Sequence, residues 1–252
     1  KHKLDALGRL SSSMVLKNGS SVADEEYRYL ENGALASAGG AAYQYADQRF
    51  AGAATALGTR TLGYNAAGAV ESDSLGARSL SYDAQGCLRE IASSDGRRFT
   101  QACDAAGASQ YRAWKGASVL QLGMAELRPD EKLLVHRLPL QGTVQAEVVY
   151  SLKGVRMSTS RVIMHDARGS VVATAPLFTT GTPSTSESQD FDAWGKVVST
   201  TVGARPRHGF VDGEREEAFG TTSFGVRVYD PSLRRWLSPD PLIAANPAVD
   251  LG

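Results

Sequence analysis

Two cysteines, four histidines and no excess of either charge are what this sequence of 252 residues offers to the common chemistries. Cys87 and Cys103 are too few for a disulfide scaffold, and too few Cys and His stand near them to complete a zinc set, so no metal is expected. Two small half-buried thiols are the expectation for the pair, with a Cys87–Cys103 bridge as the alternative. Lys plus Arg and Asp plus Glu each total 27, and a net charge of zero gives no electrostatic footprint for nucleic acid or an anionic membrane. No segment approaches the roughly 20 apolar residues of a membrane helix, so no membrane span is expected. The opening KHKLDALGRL has no apolar run of signal-peptide length behind its basic residues. No Gly-rich phosphate loop follows a strand, and RGSVV around Ser170 lacks the Gly-x-Ser-x-Gly elbow of hydrolases. No cofactor is therefore expected, and no turnover of a substrate. Sustained helical faces are missing too: ADEEYRYLENG has room for a turn or two, and GAATALG is ambiguous. What remains, 42% hydrophobic against 21% charged residues, is the balance of a chain that buries a core.

What is present is a repeat. YNAAG at Tyr64–Gly68, YDAQG at Tyr82–Gly86 and CDAAG at Cys103–Gly107 are one pattern written three times. LDALGRL at Leu4–Leu10, YLENGAL at Tyr29–Leu35 and FDAWGKV at Phe191–Val197 extend it. The physics of the unit is a hairpin. Asp83 can accept backbone N–H groups just after it, and Gly86 supplies the positive φ of a three-residue loop with a bulge. Tyr82 ends the incoming strand and Leu88 begins the outgoing one. RTLGY and RSLSY alternate polar with apolar residues, as half-buried strands do. LLVHRLPL, AEVVYSL and SRVIMH are also β-rich, although Pro139 demotes part of the first to an edge. The Ser/Thr-rich stretch Thr179–Gln189 reads as a surface loop. The expected fold class is all-β: antiparallel hairpins forming a curved or spiralling sheet.

Carried in this order, the motifs resemble the RHS and YD-repeat proteins of bacteria. Tyr82, Asp83, Gly86 and Leu88 stand in the places of Y-D-x-x-G-x-L. HDARGSVVAT, with His165, Asp166 and Gly169, is similar to the His-Asp-x-x-Gly-Ser segment that precedes the family's repeat-associated core. The segment from Arg207 to Leu242, with Tyr229, Asp230, Pro231, Trp236, Asp240 and Pro241, resembles the core signature Y-D-P-x-x-G-R-W-x-S-x-D-P. Arg234 departs from it where the family has Gly, and Ile243 where a Gly follows the second Asp-Pro. The resemblance implies repeats over 1–160 and an associated core over 161–252, truncated at its C-terminal end. It implies part of a hollow β-shell that encapsulates a toxin carried C-terminally in the same parent chain. That parent would be secreted or at the cell surface, and delivery-apparatus proteins would be its further partners. A cell-surface carbohydrate- or receptor-binding module is a competing expectation.

The two Asp-Pro pairs separate on chemical grounds. Asp230 fits the first position of a turn, with Pro231 fixing φ at the second. Asp240 occupies the place of one of two aspartates that the resemblance assigns to aspartyl self-cleavage (autoproteolysis) of the parent. Such a dyad needs two coupled carboxyls. Asp250 is followed by Leu and lies close behind Asp240, so the partner is expected beyond this chain. His165 and Asp166 read as another Asp-x-x-Gly turn rather than a metal pair, Asp192 likewise belongs to a repeat turn, and His136 as a lone imidazole on an apolar strand.

Overall fold

The Asp-x-x-Gly unit determines the architecture by turning the chain back on itself again and again. The computed structural model describes residues 1–114, 116–140, 144–154, 156–177, 187–201 and 208–241. In six copies the side-chain Oδ1 of Asp5, Asn65, Asp83, Asp104, Asp166 or Asp192 accepts the N–H groups two and four residues on, at 2.8–3.0 Å. The Gly three residues later takes φ between +77° and +86°, a region that L side chains disfavour. Each copy also shifts the strand register by one residue beside the turn. That combination is the three-residue hairpin loop with its bulge.

Among the described residues twenty strands result, from β1 (His2–Leu4) to β20 (Val197–Thr200), all in one antiparallel sheet. Each pairs with the next in sequence, so the sheet is a meander without crossover. ADEEYRYLENG supplies no helix: it lies in β3 (Ser20–Tyr29) and the turn after it. GAATALG contributes the two-residue strand β6 (Ala56–Leu57). Pro139 sits at the end of β15 (Leu133–Pro139), an interior strand, but beyond the reach of β14 (Ala125–Arg128), which covers Leu133 to His136 alone. The missing N–H therefore costs no ladder bond on that side. Residues 160 and 161 share one strand, β17 (Arg156–His165). Most of the Ser/Thr-rich stretch, and Asp250 and Ile243, lie outside the described residues.

Cys87 and Cys103 form a disulfide with Cα atoms 6.5 Å apart, which corrects the expectation of two free thiols. They face each other across β10 (Leu88–Ala92) and β11 (Arg98–Cys103), where Glu90 opposes Thr100. Cross-strand neighbours bring two Cβ atoms to bonding range. The sequence hid this because register, not spacing, decides it.

Among the described residues no backbone ladder closes the sheet, yet its end returns to its beginning. Lys17 at the end of β2 (Leu10–Lys17) lies 3.5 Å from Asp190 of β19 (Glu187–Phe191) and hydrogen-bonds Ser199 of β20. The ring of Tyr27 on β3 meets Trp194, between β19 and β20, edge-on at 5.9 Å.

A second, smaller sheet covers one face of the first. It holds β21 (Glu214–Glu216), β22 (Thr221–Phe224), β23 (Arg227–Asp230) and β24 (Arg235–Trp236). Phe219, Val228, Leu233 and Leu237 from this segment pack among Leu62, Tyr64, Val70, Leu80, Leu88, Ile91 and Phe99 of the large sheet. Leu233 and Leu237 are 1% and 3% exposed, and burial of such side chains contributes about 1.5–3 kcal/mol each. We refer to residues 208–241 as the plug.

Candidate functional site

The plug is fastened to strands from β3 to β19 of the large sheet, and its fastenings differ in character from one strand to another. On the apolar side Tyr43 of β5 (Ala41–Gln44) donates its hydroxyl to the carbonyl of Leu233 at 3.1 Å. The N–H of Val70 donates to Leu237 O at 2.7 Å, and Tyr82 Oη lies 3.1 Å from that same carbonyl. Gly107 sits so close to the plug that an added Cβ would come within 2.8 Å of Val226.

Below this lies a buried ionic knot. Asp230, 1% exposed, ends β23 and meets Arg60 Nη2 of β7 (Arg60–Tyr64) at 2.7 Å and Arg78 Nη2 of β9 (Arg78–Tyr82) at 3.3 Å. Asp73 completes it, 2.6 Å from Arg60 and in contact with Arg78. Burial alone would raise the Asp73 carboxyl, but the Arg60 guanidinium and the N–H of Leu75 outweigh it and hold its pKa below the usual value. Two arginines and two aspartates balance in charge, the condition under which such a cluster tolerates burial. The Oδ1 of Asp230 also accepts the N–H of Ser232 at 2.8 Å, the turn bond that Asp-Pro suits.

Arg234 takes a φ of 57°. A non-glycine residue is strained there, and the compensation is visible. Its Nη2 meets Glu25 of β3 at 2.6 Å, and its guanidinium lies 5.9 Å from the Tyr27 ring. Tyr229 and Trp236 pack edge to face at 5.4 Å.

Asp240 stands apart from Asp230. Arg227 Nη1 approaches it at 3.0 Å while the Arg227 guanidinium stacks 4.0 Å from the Trp236 ring. The carboxylate opens onto a cavity of about 660 Å³ bordered by Phe50, Tyr64, Arg227, Arg235 and Trp236. Pro241 is the last described residue. The geometry thus gives Asp240 a cation and access to space, and gives Asp230 two arginines and burial.

The remaining fastenings mix aromatic and polar contacts. Phe210 stacks on Tyr229 with centroids 6.4 Å apart and meets Phe191 at 5.9 Å. Arg137 of β15 reaches Asp212 at 3.1 Å, and His165 of β17 lies 3.6 Å from the same carboxylate. His208, Arg137 and burial act together on Asp212: burial pushes its carboxyl up, but the imidazole and guanidinium pull it down to about 2. His208 also approaches Glu126 of β14 at 3.5 Å and Glu214 of β21 at 3.7 Å. Sequence reasoning missed this cluster, because its members lie far apart in the chain and only the meander brings them together. His165, Asp166 and Gly169 form a turn beside it, in which the N–H of Val211 donates to Ser170 Oγ at 3.0 Å. His136 lies on β15 against Tyr150, 6.1 Å between ring centroids.

No protein-family model and no curated protein sequence matches the chain. Solved structures do. The pore structure of the Photorhabdus luminescens Tc holotoxin matches over 95% of this chain with a TM-score of 0.72 at 16% identity. A crystal structure of TcdB2–TccC3 matches over 96% with a TM-score of 0.65, also at 16% identity. A crystal structure of that complex without its hypervariable C-terminal region gives 0.61 over 96% at 15% identity. The chain shares the β-fold of those toxin chains along nearly its whole length. It spans only 14–16% of their lengths.

Proposed function

We propose that this chain is the C-terminal part of an RHS/YD-repeat β-shell with its associated core, and that the shell encapsulates a toxin segment carried downstream in the same parent polypeptide. The observation that carries the reading is the plug: residues 208–241 are fastened to one sheet face by strands from β3 to β19. A curved sheet whose strands from β3 to β19 hold one plug suits the end of a container. The fold shared with Tc toxin chains supports the same reading, and one of those structures was determined without a hypervariable C-terminal region. In this reading the division into repeats over 1–160 and core over 161–252 marks where the motifs change, while the sheet itself continues. The parent is a secreted or cell-surface bacterial protein, with delivery proteins as further partners, and the Cys87–Cys103 bridge suits an oxidising destination.

Protease protection tests encapsulation. In the intact parent the downstream segment is expected to survive a protease concentration that degrades the same segment expressed alone. Equal digestion rates would remove the proposal.

A second reading adds self-cleavage, with Asp240 as one carboxyl of a pair whose partner follows this chain. Its exposure to a cavity bordered by arginines favours Asp240 over the buried Asp230. Asp240→Asn in the parent is expected to convert two gel bands into one uncut band, and unimpaired cutting would exclude it. A carbohydrate- or receptor-binding face finds less support. Tyr27, Tyr43 and Tyr64 are buried, whereas the exposed large aromatics among the described residues are Tyr111 and Tyr150.

A further inference from the structure

Arg227 and Asp240 meet near the end of the plug, and the two sides of that contact are held by different means. Arg227 opens β23, directly after the two-residue turn Gly225–Val226 that Phe224 and Arg227 close. The turn is seated on the large sheet, since a Cβ added to Gly107 would stand 2.8 Å from the Val226 side chain. From that seat the Arg227 guanidinium lies over the Trp236 ring, 4.0 Å from its centroid. The ring is itself fixed: Phe224 meets it edge-on at 5.3 Å, and Tyr229, its partner across the strands, at 5.4 Å. Stacking of this kind holds a guanidinium plane in one orientation.

Asp240 arrives by another route. The N–H of Leu237 donates to Val228 O at 2.9 Å, the carbonyl of Leu237 accepts the N–H of Val70 at 2.7 Å, and Ser238 is buried. Pro239 and Pro241 then restrict the backbone on either side of Asp240. The backbone is therefore placed without Arg227. What Arg227 adds, with Nη1 3.0 Å from Oδ2, is a fixed direction for the carboxyl group. The two side chains are 26% and 27% exposed, and an ion pair so open to solvent contributes little to stability. The contact is ill suited to hold the fold and well suited to aim a side chain beside the cavity that both residues border.

We propose that Arg227 is a positioning residue for self-cleavage: it holds the Asp240 carboxyl turned for the reaction, and its positive charge lets a second carboxyl approach. The inference rests on the reading of Asp240 as half of an aspartyl pair. In such a pair one carboxylate takes a proton from water, and the water oxygen bonds to the scissile carbonyl carbon. The C–N bond then breaks as the other carboxyl protonates the leaving nitrogen. Two carboxyls in one site repel each other when both are charged, and a cation beside them offsets that repulsion. A carboxyl free to turn away loses the geometry on which such a step depends.

Cutting of the full parent chain is followed over time in cell-free synthesis for the wild type, Arg227→Ala, Arg227→Lys and Asp240→Asn. Asp240→Asn should stay uncut. Arg227→Ala should cut about a hundredfold more slowly than the wild type, with plug amides that exchange as slowly as those of the uncut Asp240→Asn chain. Dilute guanidinium chloride, far below a denaturing concentration, should restore most of the lost rate, and sodium chloride at the same concentration none of it. Arg227→Lys should fall between, because an ammonium carries the charge without the planar stack. A purely structural role would not answer to a free guanidinium ion. If Asp240→Asn stays uncut while Arg227→Ala cuts at the wild-type rate, the inference is overturned and the reading of Asp240 stands. Slow cutting that guanidinium leaves slow overturns it as well. Cutting of Asp240→Asn at the wild-type rate removes the reading itself, and the inference with it.

Discussion

Asp5 and Asp192 serve the same turn, yet their carboxyls move in opposite directions. At Asp5 the N–H of Arg9 leads in lowering the pKa, with the Arg9 side chain adding to it. At Asp192, 3% exposed, burial dominates and raises the carboxyl above its usual value despite the N–H groups of Trp194 and Lys196. A raised folded-state pKa gives stability that is present below the unfolded value and lost as pH rises through the folded one. At neutral pH Asp192 therefore carries a penalty, which a neutral isostere removes. Asn65 shows that an Asn side chain accepts the same two N–H groups, both at 3.0 Å. Asp192→Asn is expected to raise Tm at pH 7.5 by a few degrees at most, since about 1 kcal/mol corresponds to about 2–4 °C at this size. The gain should shrink as pH falls towards the carboxyl range. A Tm lowered at pH 7.5 would mean that the charge itself is needed in the turn.

At the scale of the element, the hairpin was the most legible part of the sequence because every requirement is local. Asp83, Gly86 and Leu88 fix the loop within a few residues, and the alternation in RSLSY places Leu80 inward and Ser79 and Ser81 outward. Helix hints in ADEEYRYLENG lost to pairing, since β3 has β2 on one side and β4 (Leu35–Ala38) on the other. The disulfide was not legible, since it depends on which residues of β10 and β11 stand opposite. Gly86 isolates the backbone term: φ is +82°, and an added Cβ would meet nothing within 4 Å. Gly86→Val is therefore expected to cost about 1–3 kcal/mol from strain alone, read by urea denaturation. An unchanged midpoint would refute the turn assignment.

On the whole-molecule scale, the plug joins parts of the sheet that the meander alone leaves unconnected. Asp230 reaches β7 and β9, Arg234 reaches β3, Asp212 faces β15 and β17, and Phe210 packs on Phe191 of β19. Little of this could be read from the sequence. Asp230 looked like a turn residue and is one, but its second carboxylate oxygen also binds two arginines more than 150 residues away. Long-range ion pairs leave no periodic trace. Neither do Glu126, His208 and Glu214, which no spacing rule would group. Removing Asp230 leaves two buried guanidinium groups to share Asp73, and breaking a buried pair in this way costs about 3–5 kcal/mol. Hydrogen exchange along the chain, in the wild type and in Asp230→Ala, tests the account most directly. Amides of β22 and β23 are expected to exchange as slowly as those of β10 in the wild type, and about a hundredfold or more faster in the variant. Plug amides that exchange in the wild type as fast as the exposed turns, or a variant with unchanged rates, would contradict a plug held within the sheet.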